Sequence, residues 1–134
     1  GIPDLPDFLE PSYHMIPLTY KGEELGGLDR EEFISQLREA GVRIGHYVTT
    51  PIYLRPRHQE YSFYTKGCPW TCPYAARLVE YKKGDSPVAE EICQKRELTL
   101  SASPLAQPCD KLIKQVIKAF KAVCKKFAKR AKAR

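Results

Sequence analysis

Seven apolar side chains near the C-terminus constrain this chain more than any other feature. After Asp110, residues Ile113, Val116, Ile117, Phe120, Val123, Cys124 and Phe127 recur at three-four spacing, which is one face of an α-helix. Such a stripe is stable only when another element covers it. The other positions are basic: from Lys111 to Arg134 there are ten Lys and Arg and no acid. The net charge of +6 therefore divides into +10 for this segment and −4 for residues 1 to 110. The stripe favours docking on the helix's own domain, with the lysines as a solvated face. The alternative is a basic amphipathic surface for an acidic partner, nucleic acid or anionic lipid, carried by Lys111, Lys114, Lys118, Lys121, Lys125 and the cations beyond. From Lys125 onward the stripe thins, and residues 128–134 are expected to be a frayed basic tail.

On the favoured reading, what the helix docks on comes from the same chain. With 134 residues and 43% hydrophobic content, there is room for one domain with one core, expected over residues 12–127. Eleven prolines and eight glycines predict short elements and many turns. No apolar run approaches the ~18 residues that span a bilayer, and nothing near Gly1 has a signal peptide's basic-then-apolar layout, so the expected compartment is the cytoplasm. The sequence begins at Gly1 and its only methionine is Met15; trimming, tagging or excision from a longer protein is expected.

Residues 1–11 carry three prolines and read as an extended lead-in. Ser12 to Tyr20 reads as a strand, with Pro17 favouring an edge or a bulge because it has no amide to give a ladder. Asp29 is a helix N-cap, Glu32 sits where a capping box would place it, and Phe33, Ile34 and Leu37 share a face. Gly41 ends that helix as its left-handed residue, and Val42 to Val48 alternates like a strand. Residues 50–85 are dense in aromatics and prolines and predict a long packed loop. Ser86-Pro87 restarts a helix to about Lys95, Glu97 to Leu100 is a short strand, a turn follows at Ser101 to Pro104, and Asp110 caps the last helix. The sum is an α+β fold: a small antiparallel or mixed sheet with its helices on one face.

Three constellations are candidate sites. Cys68 and Cys72 flank Pro69-Trp70-Thr71, with His58 nearby in sequence. The favoured reading is reduced thiols packed in an ordered loop; a metal site or a disulfide with a redox role are the alternatives. Along His46 to Tyr53, the imidazole of His46 and the phenols of Tyr47 and Tyr53 suit a polar substrate, against the plainer reading that they pack. His46 has no local carboxylate or serine partner of the kind a catalytic triad needs. The basic helix is the third. No glycine-rich phosphate cradle, H-E-x-x-H or nucleophile elbow occurs, so no catalytic residue is assigned and no complete active site is expected.

Taken in order, these segments resemble the C-terminal part of the DegT-like family of pyridoxal-phosphate sugar aminotransferases, which are fold-type I enzymes. Arg30, Phe33, Leu37 and Gly41-Val42 match its helix of the form R-x-x-F-x-x-x-L-x-x-x-G-I. Gly45-His46-Tyr47 and then Pro51 to Pro56 are similar to its h-Y-x-x-P-L-H-x-x-P continuation. Pro87-Val88-Ala89-Glu90 matches a P-x-A-E helix start, and Leu98 to Leu100 and Val116 to Phe120 look like its closing strand and V-I-x-A-L helix. The series runs from about Ser12 to Val123, nearly the whole chain.

The resemblance implies the small domain of an enzyme acting on keto-sugars, mostly nucleotide-linked, or related cyclitols, in sugar biosynthesis. Pyridoxal phosphate and its Schiff-base lysine would sit in a large domain of the same protein, which would be a homodimer; this chain alone would bind no cofactor and be inactive. His46, Tyr47 and Tyr53 are its expected substrate contacts, although many relatives have histidine where Tyr53 stands. Gly67 to Tyr74 resembles a subgroup insert. As an excised small domain the chain should expose apolar surface, with Tyr61, Phe63, Tyr64 and Trp70 as candidates.

Overall fold

The computed structural model describes residues 6–10, 12–61, 64, 67–105 and 107–132. Residues 1–5 and 11 of the expected lead-in, Phe63, and residues 133–134 of the expected tail lie outside these, as do the side chains beyond residue 128. In chain order the elements are β1 (Met15–Thr19), α1 (Arg30–Glu39), β2 (Ile44–Gly45), α2 (Pro56–Gln59), α3 (Pro87–Glu91), β3 (Glu97–Ser101) and α4 (Asp110–Lys132). They form an α+β arrangement in two compact units: Gly1–Tyr47 with Lys95–Arg134, and Val48–Gln94. Among the described residues no helix is long and apolar enough to cross a membrane.

In the first unit an antiparallel sheet has the order β1-β3-β2. Pro17 lies on β1, an edge strand, where its missing amide costs no ladder bond. The register pairs Ile16 with Leu100, Leu18 with Leu98, and Ile44 with Leu100. Side chains alternate along a strand, so these residues share one face, and Leu98 and Leu100 are buried there. The same apolar cluster takes Phe33, Ile34 and Leu37 from α1 and Val123 and Phe127 from α4, with Val116, Phe120 and Cys124 packed against it. Five of the seven stripe residues of the last helix are thus covered by its own domain, while Ile113 and Ile117 stay exposed. Leu37 is 0% exposed, and burying a side chain of that size contributes ~1.5–3 kcal/mol.

Both ends of α1 follow from their sequence. The Asp29 carboxylate accepts from the Glu31 amide at 2.8 Å, satisfying a donor that the first turn leaves free. At the other end Gly41 adopts φ 84°. Its amide donates to Arg38 O and that of Val42 to Leu37 O, both at 2.9 Å. These two bonds are a Schellman motif, which needs the left-handed residue that glycine supplies.

Two strands are shorter than predicted. β1 begins at Met15, because Tyr13 at φ 22° turns the chain before it. β2 holds only Ile44 and Gly45, where Val42 to Val48 was expected. The physical reason is a side chain: the Tyr47 amide donates to the Glu97 carboxylate, at 3.1 and 2.9 Å to its two oxygens, and so leaves the backbone ladder. The helix expected from Ser86 to Lys95 is α for its first five residues only, and residues Ile92–Arg96 continue it as a wider π turn into β3.

The second unit has little regular backbone, as its prolines predict. Its 3-10 turn at Ile52–Leu54 and the single-turn helix α2 begin at or beside prolines. Two sequence expectations are corrected here. Cys68 and Cys72 are joined as a disulfide and are not packed thiols; a tight turn brings their Cα atoms to 4.8 Å, within bridging range. Trp70 is only 9% exposed and Tyr61 is half-buried, because the Trp70 ring packs against Tyr61 and His58 at centroid distances of 6.0 and 5.7 Å. Exposed apolar surface exists elsewhere on this unit: Tyr64 is 64% exposed as expected, and Tyr74 and Leu78 are 93% and 62% exposed.

In the first unit the Tyr20 side chain lies under the helices, with its hydroxyl donating to Leu28 O at 2.7 Å and its ring 5.1 Å from that of Phe33. Burial, reinforced by the nearby Asp29 carboxylate, pushes its pKa up from 10.0 to about 12. A raised folded value means stabilisation that is complete below pH 10.0 and disappears as pH rises through about 12. Alkaline unfolding followed by circular dichroism should therefore steepen across that window. Tyr20→Phe should lose ~1 kcal/mol at neutral pH, from the hydrogen bond, and should flatten the alkaline limb. An unchanged alkaline limb in the variant would show that another group drives it.

Candidate functional site

The strand alternation that buries Leu98 and Leu100 turns Glu97, Thr99 and Ser101 to the opposite face of the sheet. There a cleft of about 1110 Å³ opens, lined by residues of β1, β2, β3, the end of α1 and the segments following β2 and β3. Its charged and titratable lining is one-sided. His14, Arg38, Arg43 and His46 contribute to the wall, and no Asp, Glu or Lys does.

Arg38 reaches this face from the helix layer. Its Nε donates to Ile44 O at 2.8 Å, which fixes the guanidinium at the β2 edge. A Cβ built on Gly45 would stand 2.9 Å from Arg38 Nη2, so the bare backbone of Gly45 gives the guanidinium its place. Arg43 and Gly45 are two residues apart across the β2 boundary, and both line the cleft.

His46 and Tyr47, two of the expected substrate contacts, line the same cleft. The Glu31 carboxylate lies 3.3 Å from His46 Nε2, at the start of α1. Glu97 holds Tyr47 through its amide and also accepts from the Thr99 hydroxyl. Tyr47's ring stays 67% exposed, free to lie against a ligand. Guanidinium forks, imidazoles, hydroxyls and an aromatic face suit an anionic, polar small molecule. Sequence reasoning missed Arg38 and Arg43. The signal was available in part: Arg38 sits one turn before Gly41, where the chain reverses, and Arg43 shares strand parity with Gly45.

Tyr53, the third expected contact, belongs to the second unit and has a partner there. Its hydroxyl donates to the buried Glu90 carboxylate and accepts from the Ser86 amide at 3.3 Å. Glu90 also accepts from the Gly84 amide at 2.6 Å. Tyr53 thereby ties the Ile52–Leu54 turn to the start of α3, a positioning role within its unit. Cys68 and Cys72, with sulfurs bonded to each other, offer no thiolate to a metal, and no group of three His, Cys, Asp or Glu suited to a metal ion occurs among the described residues.

The cleft does not by itself fit pyridoxal phosphate. That cofactor needs an amine for its Schiff base and a carboxylate facing its pyridine nitrogen, and the wall carries neither. No step through the cofactor is assigned to these residues.

The Tyr53 hydroxyl first, then the Gly84 amide, hold the Glu90 carboxyl below its usual 4.5. A lowered folded value contributes stability that is complete above pH 4.5 and is lost as pH falls through that lower value. Tyr53→Phe should destabilise the second unit at neutral pH and shrink its acid-induced loss. Thermal unfolding monitored by Trp70 fluorescence, at neutral pH and well below pH 4.5, reads both effects; equal acid sensitivity in variant and parent would remove Tyr53 as the cause.

No protein-family model, curated protein or solved structure matches this chain.

Proposed function

We propose that this chain is the small C-terminal domain of a pyridoxal-phosphate aminotransferase acting on keto-sugars, nucleotide-linked ones or related cyclitols, and that it closes one side of a cleft whose catalytic parts lie in a larger domain of the same protein. The observation that carries this reading is the one-sided covering of the sheet. Helices α1 and α4 bury one face, while the other is an open cleft lined by His14, Arg38, Arg43 and His46, with the Glu31 and Glu97 carboxylates at its edge on His46 and Tyr47. A domain built to meet a phosphorylated ligand and a second domain has this division. The lone small domain would be inactive, since its cleft has neither the lysine nor the carboxylate that the chemistry requires.

Further support comes from the order of the motifs. The helix-to-glycine motif coincides with α1 and its Schellman turn, the P-x-A-E motif starts α3, the closing strand is β3, and the V-I-x-A-L motif lies in α4. In this reading Arg38, Arg43 and His46 face the substrate's phosphate groups and Tyr47 lies against it. The parent is expected to be a homodimer working in the cytoplasm. The rival is a free-standing module that binds an acidic partner or nucleic acid through α4, whose exposed Ile113 and Ile117 stand among lysines.

The test begins with the gene upstream of the Gly1 codon. A continuous upstream frame should encode a domain with a Schiff-base lysine. Its full product should bind pyridoxal phosphate and move the amino group of glutamate to a nucleotide-linked keto-sugar. Arg38→Ala in that product should raise KM for the phosphorylated substrate with little change in kcat. A frame that opens at or beside Gly1, or a full product that binds no pyridoxal phosphate, overturns the reading. Nucleic-acid affinity that falls steeply with salt would then favour the rival.

A further inference from the structure

The second unit carries a feature that the aminotransferase reading does not use. Cys68 and Cys72 close a ring of five residues, and the chain's only tryptophan, Trp70, stands at its centre. Trp70 Nε1 donates to the Tyr81 hydroxyl at 3.2 Å. Its ring meets His58 at 5.7 Å and Tyr61 at 6.0 Å, and His58 meets Tyr81 at 5.9 Å. One short ring thus supplies the side chain on which residues 58, 61 and 81 converge.

We propose that Cys68 and Cys72 form a reversible dithiol–disulfide site, and that its redox state sets how tightly the second unit packs around Trp70. This rests on geometry within that unit and not on the proposed function.

Three observations support it. First, the turn is held by bonds of its own: the Trp70 and Thr71 amides donate to Gly67 O at 3.0 and 2.8 Å, and the Ala75 amide donates to Cys72 O at 2.9 Å. A reduced pair therefore stays close enough to re-form the bond. A cross-link over so short a loop also removes little entropy from the unfolded chain, so it acts locally and is not a staple for the whole chain.

Second, the packing it secures has few substitutes. Among the described residues this unit has no strand, and its helices α2 and α3 have four and five residues. The aromatic cluster encloses His58 Nδ1, which has no hydrogen-bond partner among the described residues, a cost that weakens the cluster. Third, the site is open to a small reagent. Cys72 is buried, but Cys68 is half-buried and Pro69, Thr71, Pro73 and Tyr74 around it are exposed.

The co-reactant is a low-molecular-weight disulfide such as oxidised glutathione. A Cys68 thiolate attacks one of its sulfurs, forms a mixed disulfide and releases one small thiolate. Cys72, having given up its proton, attacks the Cys68 sulfur and expels the second. The chain loses two electrons and two protons, and the small disulfide becomes two thiols. A dithiol reductant reverses the exchange. Cys124 is a poor competitor, since burial pushes its pKa up and keeps it protonated.

The experiment uses the full chain in glutathione buffers of graded ratio, with the state of each cysteine read by alkylation and peptide mass spectrometry. Trp70 is the only tryptophan, so its emission reports on this unit alone. The expected result is a red shift and stronger acrylamide quenching that track reduction of Cys68 and Cys72 and reverse on reoxidation. Backbone amides of residues 48–94 should lose hydrogen-exchange protection while those of α1 and β3 keep theirs. Cys68→Ser with Cys72→Ser should give the reduced spectrum in every buffer. Full reduction without change in Trp70 emission, failure to reoxidise, or an equal loss of protection in α1 and β3 would each overturn the proposal.

Discussion

The alternation of β3 is the constraint on which the first unit depends. Leu98 and Leu100 point to one side of the strand and meet both long helices; Thr99 and Ser101 point to the other and line the cleft, and Glu97 on that side holds the Tyr47 amide at its edge. Because β3 lies between β1 and β2, its register fixes both edges as well. A slip of one residue would put leucines in the cleft and a carboxylate in the core. Burial of an unpaired carboxylate is costly enough to make that alternative uncompetitive. Core and site are therefore specified by the same five residues.

The end of α1 does a similar double duty. Leu37 is the best-buried residue of the core, and Arg38, next in sequence, leaves the helix layer for the open face. Consecutive residues on a helix point about 100° apart, so the last turn can serve two layers if the chain then reverses. Gly41 provides the reversal, and the two Schellman bonds remove the freedom that would blur where Arg38 reaches. Gly45 supplies the space. Side chains with different tasks are thus placed by Gly41, whose positive φ reverses the chain, and by Gly45, which leaves room for the end of the Arg38 side chain.

Local signals in the sequence suffice where local physics decides the outcome. Asp29, Gly41 and Pro17 act within a turn or two of their own position, and the cap, the left-handed C-terminus and the edge strand follow; the α4 stripe docks through five of its seven residues. What was missed depends on partners far along the chain. The Glu97 carboxylate that ends β2 lies 50 residues from Tyr47, and Glu90, which engages the Tyr53 hydroxyl, lies 37 residues away. His46 and Tyr47 could be named as site residues because their types suit polar ligands. Arg38 could not, since an arginine near a helix end has an ordinary role in complementing the helix dipole. The Cys68–Cys72 bond lay between: the spacing permitted it, while composition favoured packed thiols.

The two units also differ in what opposes their loosening. In the first, backbone ladders and a shared apolar cluster mean that removing one side chain leaves most contacts intact. In the second, order depends on a handful of specific pairs: Tyr53 with Glu90, Trp70 with Tyr81, Gln59 with the Tyr53 and Tyr81 carbonyls, and Cys68 with Cys72. Each pair holds segments that have no ladder to fall back on, so a change of protonation or redox state at one of them reaches a large share of the unit. Such pairs are where a small domain can be made responsive without disturbing its sheet.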